Sequence, residues 1–229
     1  MNRIFVYAMF LSVTLLLSCS ESSSPSKSNL TLVSGINRAT VSNMAHFKND
    51  VISSDEISIK VESVRILLSE IKVKLNGDER SVKNGPALFT VTDSSKTVEF
   101  ASTELPDGSA DKIKFEIHRF PASQLSDYNS NEVFSEFASP ERYSIIIAGT
   151  IKEDNTDIPF EYKTEVVSNL NFDFVPPLTI EDSKNLVVKF EFQTDMVFKD
   201  KGVVLDPRDS KNKNQIDKQI VNAIKAVKL

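Results

Sequence analysis

The sequence predicts a mainly β chain: an antiparallel β-sandwich-like domain with minor short helices and a C-terminal α-helix over residues 211–227. Three observations carry this. Apolar and polar residues alternate with period two through most of 55–198, as strands with one buried face require. Clusters of Asn, Asp, Gly and Pro interrupt the alternation at short intervals, as turns of a many-stranded sheet do. Beyond residue 209 the apolar spacing lengthens to that of a helix.

The domain is expected to span 30–229, with a first strand at 30–33. The stretch 56–75 follows, and its phase changes twice. Ile57, Ile59 and Val61 occupy odd positions, Val64, Ile66 and Leu68 even ones, and Ile71, Val73 and Leu75 odd ones again. A straight strand would turn a third of these side chains to water. The breaks near Ser63 and Ser69 therefore predict either bulges in one long strand or two strands joined by a bend. Further strands are predicted at 87–91, 97–101, 112–120, 143–152, 158–167 and 171–174. Asn76-Gly77-Asp78, Asn84-Gly85-Pro86, Pro106-Asp107-Gly108, Asp154-Asn155 and Pro176-Pro177 supply the turns between strands. The clearest strand begins at Leu186 and alternates through Val188, Phe190, Phe192, Thr194 and Met196 to Phe198.

Helices are minor. Leu125, Tyr128, Val133, Phe134 and Phe137 fit one or two short ones within 122–138. At the C-terminus Ile216, Ile220, Ala223, Ile224 and Val227 share one helical face, and Asp209 or Ser210 is the expected N-cap. That face is expected to pack on the sandwich; lying on anionic lipid is the alternative.

The N-terminus is built differently. One positive charge at Arg3 precedes an apolar run from Ile4 to Leu17, fourteen residues long. A membrane-spanning helix needs about 20, so residues 1–18 read as a secretory signal peptide. Leu16-Leu17-Ser18-Cys19 resembles the lipobox of bacterial lipoproteins. That resemblance implies a diacylglyceryl group on the Cys19 thiol, cleavage just before it, and acylation of the new amine. Cys19 is the sole cysteine of the chain, so a disulfide is not its alternative role. Six of the ten residues from Ser20 to Asn29 are serine, and none is a large apolar residue. Residues 19–29 are accordingly read as the lipidated cysteine and a flexible tether. Ser20, in place of an aspartate after the cysteine, resembles the enteric sorting pattern for the outer membrane. The expected location is the cell envelope, lipid-anchored, at that membrane.

A second resemblance lies within 61–120. Val61-Glu62-Ser63-Val64-Arg65-Ile66, then Ala87-Leu88-Phe89, then Leu105-Pro106-Asp107-Gly108 running into Ile113, Phe115 and Ile117 are similar to an uncharacterised family of envelope lipoprotein β-domains. Ser109 and Ala110 stand where that pattern carries an aromatic residue. The resemblance implies a sandwich and brings no catalytic residue with it.

Composition narrows the function classes. The net charge is −5 with both signs interspersed, and no basic stripe stands ready to neutralise phosphates, so nucleic acid is not an expected partner. Fifteen phenylalanines and no tryptophan predict a Phe- and Ile-rich core. Only two histidines, His46 and His118, could serve a nucleophile as base, and no Gly-x-Ser-x-Gly elbow occurs; His118 reads as a solvated residue on the polar face of its strand. No cofactor or metal is expected, because no Cys/His set has zinc spacing. Asp195, Asp200, Asp206, Asp209 and Asp217, with Asn212 and Asn214, offer hard oxygen ligands but match no calcium loop.

The resulting expectation is a non-catalytic binding or structural module of the envelope. Membrane lipid is its partner through acylated Cys19, and a protein or glycan binds at loops 76–86 and 154–158. An extracytoplasmic polysaccharide hydrolase using paired carboxylates, and a calcium-stabilised adhesion domain, are the alternatives.

Overall fold

A computed structural model describes residues 27–37, 41–42, 57–92, 96–181 and 184–228. Cys19, His46 and the expected signal segment lie outside the described residues. In chain order the elements are β1 (Lys27–Asn37), β2 (Val41–Ser42), β3 (Ser58–Leu75), β4 (Asp78–Ser81), β5 (Ala87–Val91), β6 (Val98–Pro106) and β7 (Gly108–Ile117). Then come α1 (Leu125–Tyr128), β8 (Ile145–Glu153), β9 (Thr156–Thr164), β10 (Ser168–Ile180), β11 (Asn185–Gln193) and α2 (Thr194–Val197). The chain ends with β12 (Lys199–Asp200), β13 (Val203–Val204), α3 (Lys213–Asn222) and β14 (Ile224–Lys228). The mainly β, mostly antiparallel fold expected from the alternation is what forms, in two main sheets.

The smaller main sheet has the order β14-β11-β1-β6, with β1 and β11 parallel. In the larger, β3 is a spine. β5 and β8 both pair with Val64–Ile66, so they occupy opposite edges of it; β4 and β7 both pair with 72–75 and do the same. β4 leads through 82–86 into β5 along one edge, while β7 and β8 follow one another along the other. β10 and β9 then pair outside β7 and β8.

Of the two readings left open for 56–75, bulges in a single strand are correct. Register shifts fall between Val61 and Ser63 against β8, and between Leu68 and Glu70 against β7. Each shift places two successive residues on the outer face, which restores the next apolar residue to the core. Ile59, Val61, Val64, Ile66, Leu68, Ile71, Val73 and Leu75 are all buried as a result. Phenylalanines from both sheets meet between the layers. The Phe190 ring lies 4.5 Å from Phe115 and 4.9 Å from Phe172, and Phe100 lies 5.5 Å from Phe89.

Several expected boundaries move. β1 starts at Lys27, so 27–29 belong to the sheet and not to the tether. Ser28 is buried, and its hydroxyl donates to the Glu181 carbonyl at 2.7 Å. β11 stops at Gln193, although the alternation runs on to Phe198. Thr194, Val197 and Phe198 also fit one helical turn, and with α2 formed all three are buried where the chain turns at the sheet's end. Pro176-Pro177 is not a turn between strands; it sits in a wide bulge inside β10.

The C-terminal helix is shorter than expected. A 3₁₀ turn at Ser210–Asn212 leads into α3, and Asp209 caps the turn by accepting from the Lys211 amide at 2.9 Å. Ile216 and Ile220 bury the helical face. Ile224 and Val227, expected on that helix, instead belong to β14. Ile224-Lys225-Ala226 fits period two as well as helical spacing, although Val227 then breaks the alternation. The unpaired edge of β11 decides between them, because its backbone groups pair with β14 from Phe192↔Ile224 to Val188↔Lys228.

Candidate functional site

The outer face of the spine sheet carries a second, smaller core. Leu67 lies between inward-facing Ile66 and Leu68 and so points outward, yet it is buried. Ile146 does the same on β8. The chain from 118 to 144 covers both, packing Phe120, Phe137 and Ala138 onto them. Phe120 stacks on Tyr128 at 4.3 Å with the planes 12° apart, and Phe134 meets Phe120 edge-on at 5.8 Å. Arg65 pairs with Glu136 and sits 5.9 Å from the Phe137 ring centroid, while Arg119 pairs with Glu165. The cover is therefore fastened by ion pairs at its rim and aromatic contacts beneath.

Between this cover and the 81–86 link runs an open groove of about 640 Å³. Leu67 and Phe120 form its apolar floor. The bulge in β3 turns Ser69 and Glu70 outward into it, and the end of β7 adds Glu116 and His118. Lys83, Asn84, Gly85 and Pro86 make one wall; Arg119, Pro121, Gln124 and Tyr128 make the other. Gly85 takes φ +85°, a left-handed conformation that glycine adopts without strain, and the Ser81 hydroxyl donates to the Lys83 carbonyl at 2.9 Å. Both hold the corner between β4 and β5.

Glu70 and Glu116 are directly opposed in the β3–β7 register, so their Cβ atoms lie about 5 Å apart. Such like-charge pairing is unfavourable, and Lys72 offsets it by bonding Glu70 at 2.9 Å. That hydrogen bond raises the Lys72 pKa. The His118 Nδ1 lies 2.6 Å from the Arg119 carbonyl oxygen; a carbonyl only accepts, so Nδ1 carries the proton and donates. Ser69 Oγ donates to the Glu116 carbonyl at 3.3 Å, a bond to backbone and not to the histidine. The groove thus offers carboxylates, a lysine, a guanidinium and amides around an apolar floor, which suits recognition through several hydrogen bonds at once.

His118 keeps the polar face expected for it but lies one residue past the end of β7, half-buried, and lines this groove. Loop 76–86 supplies a wall. Loop 154–158 lies at the other end of β3, where Asp157 borders a separate depression with Ser58 and Thr150. The Asp-rich segment is not gathered. Asp206 binds Arg208, which also reaches Glu153 at 3.0 Å; Asp209 caps its turn; Asp217 accepts from the Tyr162 hydroxyl at 2.7 Å. Among the described residues no group of three His, Cys, Asp or Glu is placed to hold a metal, and no helix is long and apolar enough to cross a membrane.

Arg119, Gln124 and Tyr128 carry no sequence signal that marks them as site residues. Leu67 carried a usable signal, since it breaks the alternation and so marks a sheet buried on both faces at that point. No known family, characterised protein or solved structure matches the chain.

Proposed function

We propose that the chain is a non-catalytic binding module of the cell envelope. Lipid on Cys19 holds it at the membrane, at the outer membrane by the Ser20 pattern, and the groove beside 81–86 engages a glycan or protein partner. The observation that carries the binding reading is the groove itself: a separate aromatic core is devoted to building its wall, and hydrogen-bonding groups of both charges ring its floor. Lys27 opens β1 eight residues after Cys19, so the chain between them reaches about 28 Å at most and keeps the domain close to the bilayer.

Two measurements test this. Acyl labelling should mark the wild-type chain and spare Cys19→Ala; equal absence of label removes the anchor. For the groove, a panel of envelope oligosaccharides and peptides is titrated against wild type and against Arg119→Ala and Tyr128→Ala. Binding that survives both variants with unchanged affinity places the contact elsewhere.

The opposed Glu70 and Glu116 favour one second reading, a polysaccharide hydrolase. It requires turnover of a polysaccharide that Glu116→Gln abolishes without loss of folding.

A further inference from the structure

β10 carries an apolar projection. Asp173 pairs with Lys112 and Leu178 with Ala110, so residues 174–177 bulge out opposite the single residue Asp111. Phe174 packs partly against the core and roots the bulge, while Val175 is 93% exposed and Pro176 and Pro177 are also exposed. Three consecutive exposed apolar residues are a liability for a soluble surface unless they meet something.

Their position says what. Val175 is six residues before Glu181, whose carbonyl accepts from Ser28 in the second residue of β1. The projection is thus within about 20 Å of the point where the domain emerges from the segment bearing Cys19. We propose that Val175-Pro176-Pro177 is a second membrane contact, dipping into the lipid interface at the anchored end of the domain; this rests on the lipidation reading.

A strand from another protein fits the same edge badly, because Pro176 and Pro177 have no N–H to donate to a ladder. In a lipid interface that lack is an advantage, since neither proline brings a donor that would go unpaired. The charges around it agree. Asp173, Glu104 and Glu181 each bond a lysine, Lys112, Lys27 and Lys184, at 2.8–3.0 Å, which reduces repulsion from anionic headgroups. Three small apolar residues bind far more weakly than acyl chains, so the projection orients the domain and does not hold it there.

The test uses the full, lipidated chain on phosphatidylethanolamine–phosphatidylglycerol vesicles. A nitrobenzoxadiazole label at V175C is compared with one at V203C. Val203 is also well exposed, at 61%, but follows the opposite end of β11. The expected result is a blue-shifted label at 175, quenched by spin-labelled lipid, and an aqueous label at 203. A chain that floats with the vesicles while both labels stay aqueous, or both shift alike, overturns the contact and leaves the anchor standing. A chain that does not float overturns both.

Discussion

Two glycines in strands make opposite predictions for the same substitution. Gly149 of β8 pairs with Val61, beside the first bulge of β3. A methyl built on it would overlap the Lys60 carbonyl oxygen, lie 3.1 Å from the carbonyl carbon and come within 2.9 Å of the Phe160 ring. The Lys60 carbonyl is backbone and cannot rotate away, so β3 and β8 must separate. Overpacking costs about 1–3 kcal/mol and a weakened ladder bond about 1, against about 0.4–1 regained from the stiffer unfolded chain. Gly149→Ala should lose about 2–3 kcal/mol, or roughly 5–10 °C in Tm for a domain of this size. Gly35 of β1 also looks crowded, since its methyl would lie 2.5 Å from Lys189 Cε. That atom is the far end of a flexible side chain, whose ion pair with Glu191 at 2.7 Å is worth about 0–1 kcal/mol. Gly35→Ala should therefore stay within about 1 kcal/mol of wild type. Urea unfolding followed by circular dichroism measures both. Equal losses at the two sites, or a neutral Gly149→Ala, would show that rigidity of the neighbour does not decide the outcome.

Other consequences are as direct. Tyr162→Phe removes the 2.7 Å bond that docks α3 on β9 through Asp217, and should cost about 1–2 kcal/mol by denaturant unfolding; burial, then that bond, push the Tyr162 hydroxyl above its usual range, so its contribution in wild type should be full below about pH 10, where an unfolded tyrosine begins to ionise, and fall as pH rises beyond that. Phe137→Ala should cost about 3–5 kcal/mol at its fully buried site, with hydrogen-exchange protection falling first in 118–144; uniform loss across β11 would contradict a separate second core. Arg65 and Arg208 hold the Glu136 and Asp206 carboxyls below their ordinary pKa. Depressed values stabilise the fold above the unfolded carboxyl range and lose effect as pH falls through the folded ones. The Tm deficit of Arg65→Ala should therefore be full at about pH 6 and shrink below about pH 4; a deficit independent of pH would assign Arg65 to packing alone.

The bulges of β3 were readable because burial is demanding. Each phase change, from Val61 to Val64 and from Leu68 to Ile71, is costly unless an extra residue absorbs it, and Ser63 and Ser69 marked where. The groove was less readable. Glu70 and Glu116 look like ordinary solvent-facing strand residues, and only the β3–β7 register opposes them. Arg119 and Tyr128 come to the same place because the 118–144 cover folds back over Leu67, a contact between residues about fifty or more apart in the chain.

Local chemistry was enough for most of the long strands, for the buried face of each and for turns such as Asn76-Gly77 and Asp154-Asn155, since alternation and turn residues act within a few positions. The lipobox-like setting of Cys19 is also wholly local, so its proposed lipidation rests on sequence. Where two local patterns competed, tertiary contacts chose. Residues 194–198 became α2 and its successor because the chain turns there, and 224–228 became β14 because the edge of β11 had backbone groups to pair. The same holds for the groove and for the Val175 projection. Both depend on which strands lie side by side, a property set by long-range pairing that no short stretch of the chain contains.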